Sequence, residues 1–284
     1  MGSQGVASVR AATLDDVEGI RGIHAACDDP WSHPGVGPIW VNHRLLRGFF
    51  IDVATVGNHV VGHAEWNISD EPEPHGRYLY LGMIQIHSEY QHKGIGRAMI
   101  NVGLARALSL SCRSLRTIPD EGAYGFYSKC GFEPINEITS VELKAGISSL
   151  PKEWSTVDLV PEEVVASLPL RLGWSAQACS SFMWEICNRP VEVAGEQDRH
   201  PCARLRSGEA YVQLRYVEGN SALAIAWAAS DISINELVKA AQGLAVSLGV
   251  PNIVVSVFDH DCDELHVLSG QTIPSVVEVW ECKA

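Results

Sequence analysis

Residues 84–98 read Ile84-Gln85-Ile86-His87-Ser88-Glu89-Tyr90-Gln91-His92-Lys93-Gly94-Ile95-Gly96-Arg97-Ala98. The apolar start is the end of a strand, the middle is a loop, and a helix begins near Ile95. Gly94 and Gly96 let the main chain approach a ligand with no Cβ in the way, and the N–H groups of a helix's first turn point outward with positive partial charge. That chemistry holds a pyrophosphate. Lys93 and Arg97 add cationic charge at the same edge. Two commoner phosphate loops are excluded: no third glycine follows at the dinucleotide interval, and Lys93 precedes the glycine where a P-loop needs Gly-Lys-Ser/Thr.

The elements that must position this loop follow from periodicity and turn chemistry. A short strand, 9–11, leads to Thr13, which caps a helix over 14–27 with Asp15, Asp16 and Glu18 in its first turn. A Pro- and Gly-rich loop spans 28–38. Two strands, 49–56 and 59–68, flank the Gly57-Asn58 turn, and a third runs from Arg77 to His87. After the glycine loop come a long helix to about Ser111, a strand 114–118, and a helix 122–129 stopped by Gly131. A strand over 138–143 closes the unit, and 146–151 reads as a linker, giving domains 1–146 and 150–284.

With the motifs in place, the chain resembles the GNAT N-acetyltransferase superfamily, whose Q/R-x-x-G-x-G/A signature is matched by Gln91-His92-Lys93-Gly94-Ile95-Gly96. Tyr127-Ser128-Lys129-Cys130-Gly131-Phe132 is similar to the family's Y-x-K-x-G-F segment, and the likeness covers about residues 6–144. Ser88 stands where a Pro is common, and Asp120 where the family often has Asn. The resemblance implies an α/β mixed sheet with splayed central strands and acetyl-CoA between the strands at 79–87 and 114–118. Main-chain groups of Ile84, Gln85 and Ile86 would pair with the pantetheine arm and thioester carbonyl. The amides from Gln91, His92, Lys93, Gly94, Ile95, Gly96 and Arg97 would hold the pyrophosphate, with Asp120 at the cofactor site.

The same resemblance implies an acetyl group transferred to a primary amine by direct attack in a ternary complex. An alkylamine has a pKa of ~10, so a proton must be removed before attack, and the departing thiolate needs a proton or a hydrogen bond. Tyr127 matches the family position that serves the sulfur; its structural alternative is an aromatic anchor for its helix. Tyr80 occupies a position where some relatives carry a Glu base. Glu65, flanked by His63 and Asn67 on one strand face, is the candidate base, against the alternative of an exposed or salt-bridged Glu. His24, His87, Asp28 and Asp29 are further candidates. Asp28, Asp29 and Trp31, with His33 and Trp40, fall where the resembling fold shapes its acceptor site, and carboxylates beside aromatic faces suit an ammonium group.

The second half repeats the first at an offset near 140. Gly103-Leu104-Ala105 matches Gly243-Leu244-Ala245, and the Asp120, Tyr127, Gly131 intervals recur at Asp259, His266, Gly270. At that offset Gly94 becomes Ile234 and Gly96 becomes Glu236. A β-branched side chain and a carboxylate both oppose a pyrophosphate. Residues 150–284 therefore read as a degenerate GNAT-like domain that supports the first, covers its acceptor side or mediates association, including pairing of two copies. Asp259 to His266 mixes ligand types without zinc spacing, so no metal is expected.

Composition fits this reading. The formal charge is −13 over 284 residues, which argues against nucleic acid or an anionic membrane as principal partner. No apolar run reaches the ~20 residues of a spanning helix. The eight cysteines show no Cys-x-x-Cys pair and read as reduced thiols in a soluble cytoplasmic protein. Two other readings stay open: a non-catalytic acyl-CoA-binding or interaction module, and an acceptor that is a protein N-terminus or Lys in place of a small molecule.

Overall fold

The hairpin around Gly57-Asn58 forms because Gly57 adopts φ +59°, which an L side chain rarely accepts. It joins β2 (Phe50–Val56) to β3 (His59–Asp70), which pair antiparallel from Phe50↔Trp66 to Val56↔His59 with a bulge between Ala54 and Thr55. The computed structural model describes residues 7–27, 37–71, 75–146, 149–173, 179–188, 201–216, 221–258, 264 and 275–284. They divide into two units, Met1–Ile68 with Arg77–Glu133 and Glu281–Ala284, and Ser69–Gly76 with Pro134–Trp280. This division differs from the sequence boundary near 146–150, because the strand beginning at Glu133 belongs mainly to the second unit and the last four residues to the first.

In the first unit the strand order is β1 (Ser8–Ala11), β2, β3, β4 (Arg77–Ile86), β5 (Ser114–Thr117). Helices α1 (Val17–Ala25) and α2 (Gly37–Leu46) cover one face through Val17, Ile20 and Val41 packed on Ile51 and Val53. The sequence reading has no α2; Pro38 sits at its start, where a missing N–H costs nothing. The long helix α3 (Ile95–Ser109) and the short α4 (Tyr124–Lys129) complete the unit. Gly103 of α3 is required by close approach, since a Cβ there would lie 2.4 Å from Trp66. Trp66 in turn donates to Asp52, which also receives Arg106 of α3 at 2.5 Å.

The second unit contains β6 (Glu133–Lys144), β7 (Trp154–Val157), α5 (Glu162–Ser167), β8 (Leu170–Leu172), α6 (Ser180–Asn188), β9 (Cys202–Leu205), β10 (Ala210–Tyr216), β11 (Ser221–Ala228), α7 (Ile234–Ser247), β12 (Asn252–Phe258) and β13 (Ser275–Lys283). Its strands run β6-β12-β11-β10-β9-β7. As in the first unit, a long helix links two parallel strands: β4–α3–β5 there, β11–α7–β12 here. Gly243 of α7 mirrors Gly103, because a Cβ would lie 2.7 Å from the Leu150 backbone. Among the described residues, no helix is long and apolar enough to cross a membrane.

Candidate functional site

β4 and β5 pair in register only at Leu79↔Leu115 and Tyr80↔Arg116. β5 ends at Thr117, whereas β4 continues to Ile86, and its residues 82–86 are half-buried where 78–81 are buried. A wedge therefore opens beyond Leu81. The Thr117 hydroxyl closes its apex by donating to the Leu81 carbonyl at 3.1 Å. Tyr127 of α4 hydrogen-bonds with Thr117 and packs edge-on against Phe126 and Phe132, with ring centroids 5.1 and 5.3 Å away. Burial, partly offset by Thr117 and reinforced by the Asp120 charge, pushes the Tyr127 phenol up to about 12. Asp120 itself is exposed at the start of the turn before α4.

The glycine loop stands at the open end of β4. A turn over Ser88–Tyr90 follows His87, whose ring accepts from the Glu89 amide at 3.3 Å. His92 and Gly94 then take φ +60° and +83°, and α3 starts at Ile95. The first turn of a helix has no carbonyl of its own to offer its amides, so those at the start of α3 lack an intrahelical partner. A Cβ on Gly94 would meet nothing within 4 Å, so Gly94 is needed for its dihedral and leaves its outer side open. The cradle fits a diphosphate.

The structure shows what else the loop residues touch. A Cβ on Gly96 would lie 3.1 Å from the Phe126 ring, so this position is a helix-packing glycine. The Arg97 guanidinium donates to the Lys129 carbonyl at 2.9 Å and caps α4. Lys93 is exposed with its ammonium 4.9 Å from the Tyr90 ring. The Ile86 carbonyl already accepts from the Gln91 side chain at 3.1 Å and from the Cys27 thiol at 3.6 Å. The strand segment of Ile84 and Gln85 lies past the end of β5, where an incoming chain can pair with it.

Glu65 is also corrected. It is 2% exposed and ion-paired with the buried Arg44 of α2, whose other nitrogen donates to Asn67. Arg44 and His63 outweigh desolvation and hold the Glu65 carboxyl down to about 2, so it stays ionised and is far too weak a base for an ammonium. Tyr80, 2% exposed, sits in the paired part of β4 and cannot line an acceptor pocket in this conformation. Trp40 is a core residue beneath Arg44. Asp28, Asp29, Trp31 and His33 lie outside the described residues. Sequence reasoning missed Arg44 and Thr117; for Arg44 the signal was its place four residues after Trp40, which puts both on one helical face.

The equivalent wedge of the second unit is filled by the chain itself. β11 pairs with β12 from Ser221↔Asn252 to Ala224↔Val255, then with β8 at Ala226↔Leu172 and Trp227↔Leu170. Gly173, just after β8, donates to the Ser256 carbonyl of β12 at 2.9 Å, so β8 bridges the two parting strands. At the start of α7 the Ile234 amide donates to the Glu264 carboxylate at 2.9 Å and the Ser233 hydroxyl accepts from the Glu236 amide. A carboxylate thus sits where the first unit presents bare amides.

The family comparison matches residues 18–132 to the acetyltransferase (GNAT) family. No curated protein sequence matches the chain. Among solved structures, a GCN5-related N-acetyltransferase from Anabaena variabilis superposes with TM-score 0.66 at 15% identity, over 97% of this chain and 72% of its own. One from Kribbella flavida gives 0.65 at 12% identity, over 99% and 72%. A tandem GNAT protein from the clavulanic acid biosynthesis pathway gives 0.53 at 15%, over 98% of each chain. These likenesses establish a shared fold. Among the described residues no group of three or more His, Cys, Asp or Glu side chains could hold a metal ion.

Proposed function

We propose that the chain is an acetyl-CoA-dependent N-acetyltransferase that moves an acetyl group to a primary amine by direct attack in a ternary complex, with all chemistry in the first unit. One observation carries this: β4 leaves β5 after two residue pairs, and the wedge so opened ends on the left-handed Gly94 turn and the bare amides of α3. A pantetheine arm supplies the missing strand partner along Ile84 and Gln85, and a diphosphate satisfies amides of the loop. The acidic balance of the chain suits a cationic acceptor, either a small amine or the amine of a peptide.

Tyr127 acts on the sulfur. Its phenol stands at about 12, whereas an alkyl thiol lies near ~8.5, so outright proton transfer to the thiolate runs uphill by about 5 kcal/mol. Tyr127 therefore keeps its proton and stabilises the leaving thiolate by hydrogen bonding. Isothermal titration with acetyl-CoA tests the reading, and absence of binding at about 1 mM, the upper end of usual substrate constants, overturns it. Binding without thioester consumption across a panel of amines would assign the chain to the non-catalytic acyl-CoA-binding class.

A further inference from the structure

A cavity of about 370 Å³ lies along the flank of α1, on the side that faces the turn between β2 and β3. The helix crosses three strands in order. Val17 and Ile20 pack on Ile51 and Val53 of β2, a Cβ on Gly19 would lie 2.7 Å from Val60 of β3, and Cys27, just past α1, touches the Ile86 carbonyl of β4 at 3.6 Å. The cavity follows that course, from Asp15 in the turn before α1 to His87 directly after β4. Its helical lining, residues 15 to 23, covers about 12 Å at ~1.5 Å per residue, so the cavity is a groove. Gly22 keeps it open, since a Cβ there would meet nothing within 4 Å.

The groove is polar at its ends and apolar between them. Two carboxylates stand at the first end. Asp16 is already occupied: Arg10 donates to both its oxygens at 2.7 Å, and the Thr13 amide donates at 2.8 Å. Asp15 is exposed and takes no hydrogen bond or ion pair among the described residues, so its charge is uncompensated. Ile23 and Val60 line the middle. At the other end the Glu89 amide donates to Nδ1 of the His87 ring, which leaves Nε2 to meet a ligand. No group of three or more side chains among the described residues could hold a metal ion, so the charge calls for an organic cation. A carboxylate, a methylene-lined middle and a hydrogen-bonding far end together match a linear chain that begins with an ammonium group.

The far end of the groove adjoins the wedge. The His87 amide donates to the Val61 carbonyl of β3 at 3.0 Å, so by strand alternation the Ile86 carbonyl faces the opposite side, the one β5 has left. Cys27 reaches that carbonyl from the same helix that lines the groove. We infer that the groove holds the non-reacting end of the acceptor: a cation at Asp15, with the amine to be acetylated at the wedge. The inference rests on the transferase reading and gives its acceptor a class, a long linear diamine. Twelve residues separate Asp15 from Cys27, roughly 18 Å of helix, so a short diamine does not span both ends.

The test uses the full chain, acetyl-CoA and two pairs of amines, each a diamine with its amino alcohol: 1,12-diaminododecane with 12-aminododecan-1-ol, and 1,4-diaminobutane with 4-aminobutan-1-ol. The readout is the ratio of kcat/KM within each pair, which a general loss of activity does not move. In wild type the long pair should give about tenfold, about twofold because either end reacts and about fivefold from one half-exposed ion pair. The short pair should give only the statistical factor of about two. Asp15→Asn should bring the long ratio down to that factor. Gly22→Leu fills the groove with a residue that favours helix, so it should fold and lower the preference for the long over the short diamine by at least about fivefold. A long ratio of about two in wild type, a tenfold ratio that survives Asp15→Asn, or an unchanged length preference in Gly22→Leu overturns the groove assignment, while acetylation of the short amines leaves the transferase reading standing. Failure of acetyl-CoA to bind, or of all four amines to be acetylated, removes both together.

Discussion

Tyr127→Phe separates hydrogen bonding from proton donation at the leaving sulfur. The phenol at about 12 keeps its proton against a thiolate whose acid lies near ~8.5, so its contribution is a donor aimed at developing charge. Removing one such donor costs roughly 10²–10³-fold in kcat, about 3–4 kcal/mol. Because the interaction forms only as the C–S bond lengthens, the KM for acetyl-CoA should hold within about twofold. Phe keeps the ring contacts to Phe126 and Phe132 and loses only the bond with Thr117, so stability should fall by about 1 kcal/mol, a shift of a few degrees in Tm. The decisive assay compares acetyl-CoA with an acetyl thioester of a more acidic aryl thiol. The aryl thiolate needs less help, so the Phe penalty should shrink by at least tenfold in turnover. An equal penalty with both donors, or wild-type turnover, would refute the assignment of Tyr127 to the sulfur.

Three further outcomes are expected. Gly94→Val puts a β-branched residue at φ +83°, costing upwards of ~1–2 kcal/mol and turning the amide cradle, so titration should show acetyl-CoA affinity lost while circular dichroism stays that of the folded chain. Glu65→Gln strands the buried Arg44, and denaturant unfolding at pH 7 should report a loss of about 3–5 kcal/mol. Since the Glu65 carboxyl drops from 4.5 to about 2 on folding, its stabilisation is complete above about pH 4.5 and fades toward pH 2; in the Gln variant that part of the acid limb should flatten. Calorimetry should give one acetyl-CoA per chain, and a stoichiometry of two would contradict the filled wedge of the second unit.

Much of the site was readable because local rules decide it. Gly94 precedes the first helical residue in a left-handed conformation that few other residues tolerate, and Gly131 stops α4 at φ +88° for the same reason. Gly96 shows the limit: its letter was informative, but its cause, the Phe126 ring, is set by a helix thirty residues away. Period two correctly placed His63, Glu65 and Asn67 on one face of β3. What it could not say is that α1 and α2 cover that face, which makes the candidate base a buried ion-pair partner. α2 was hidden because Gly37 and Pro38 read as the end of a loop. β8, the three residues directly following Pro169, is too short for any periodicity, and only its partner β11 makes it a strand.

The strand segment 169–173 and the Glu264 carboxylate have an energetic corollary. On the proposed reading the first unit gains hydrogen bonds along Ile84 and Gln85 and at the Gly94 turn when a carrier molecule arrives, so its melting point should rise with ligand concentration. The second unit brings its own tenant, covalently attached and always present, and its melting should ignore the ligand. Freed from the demand for a left-handed residue before its long helix, that half can hold Ile234 and Glu236 where the first unit has Gly94 and Gly96.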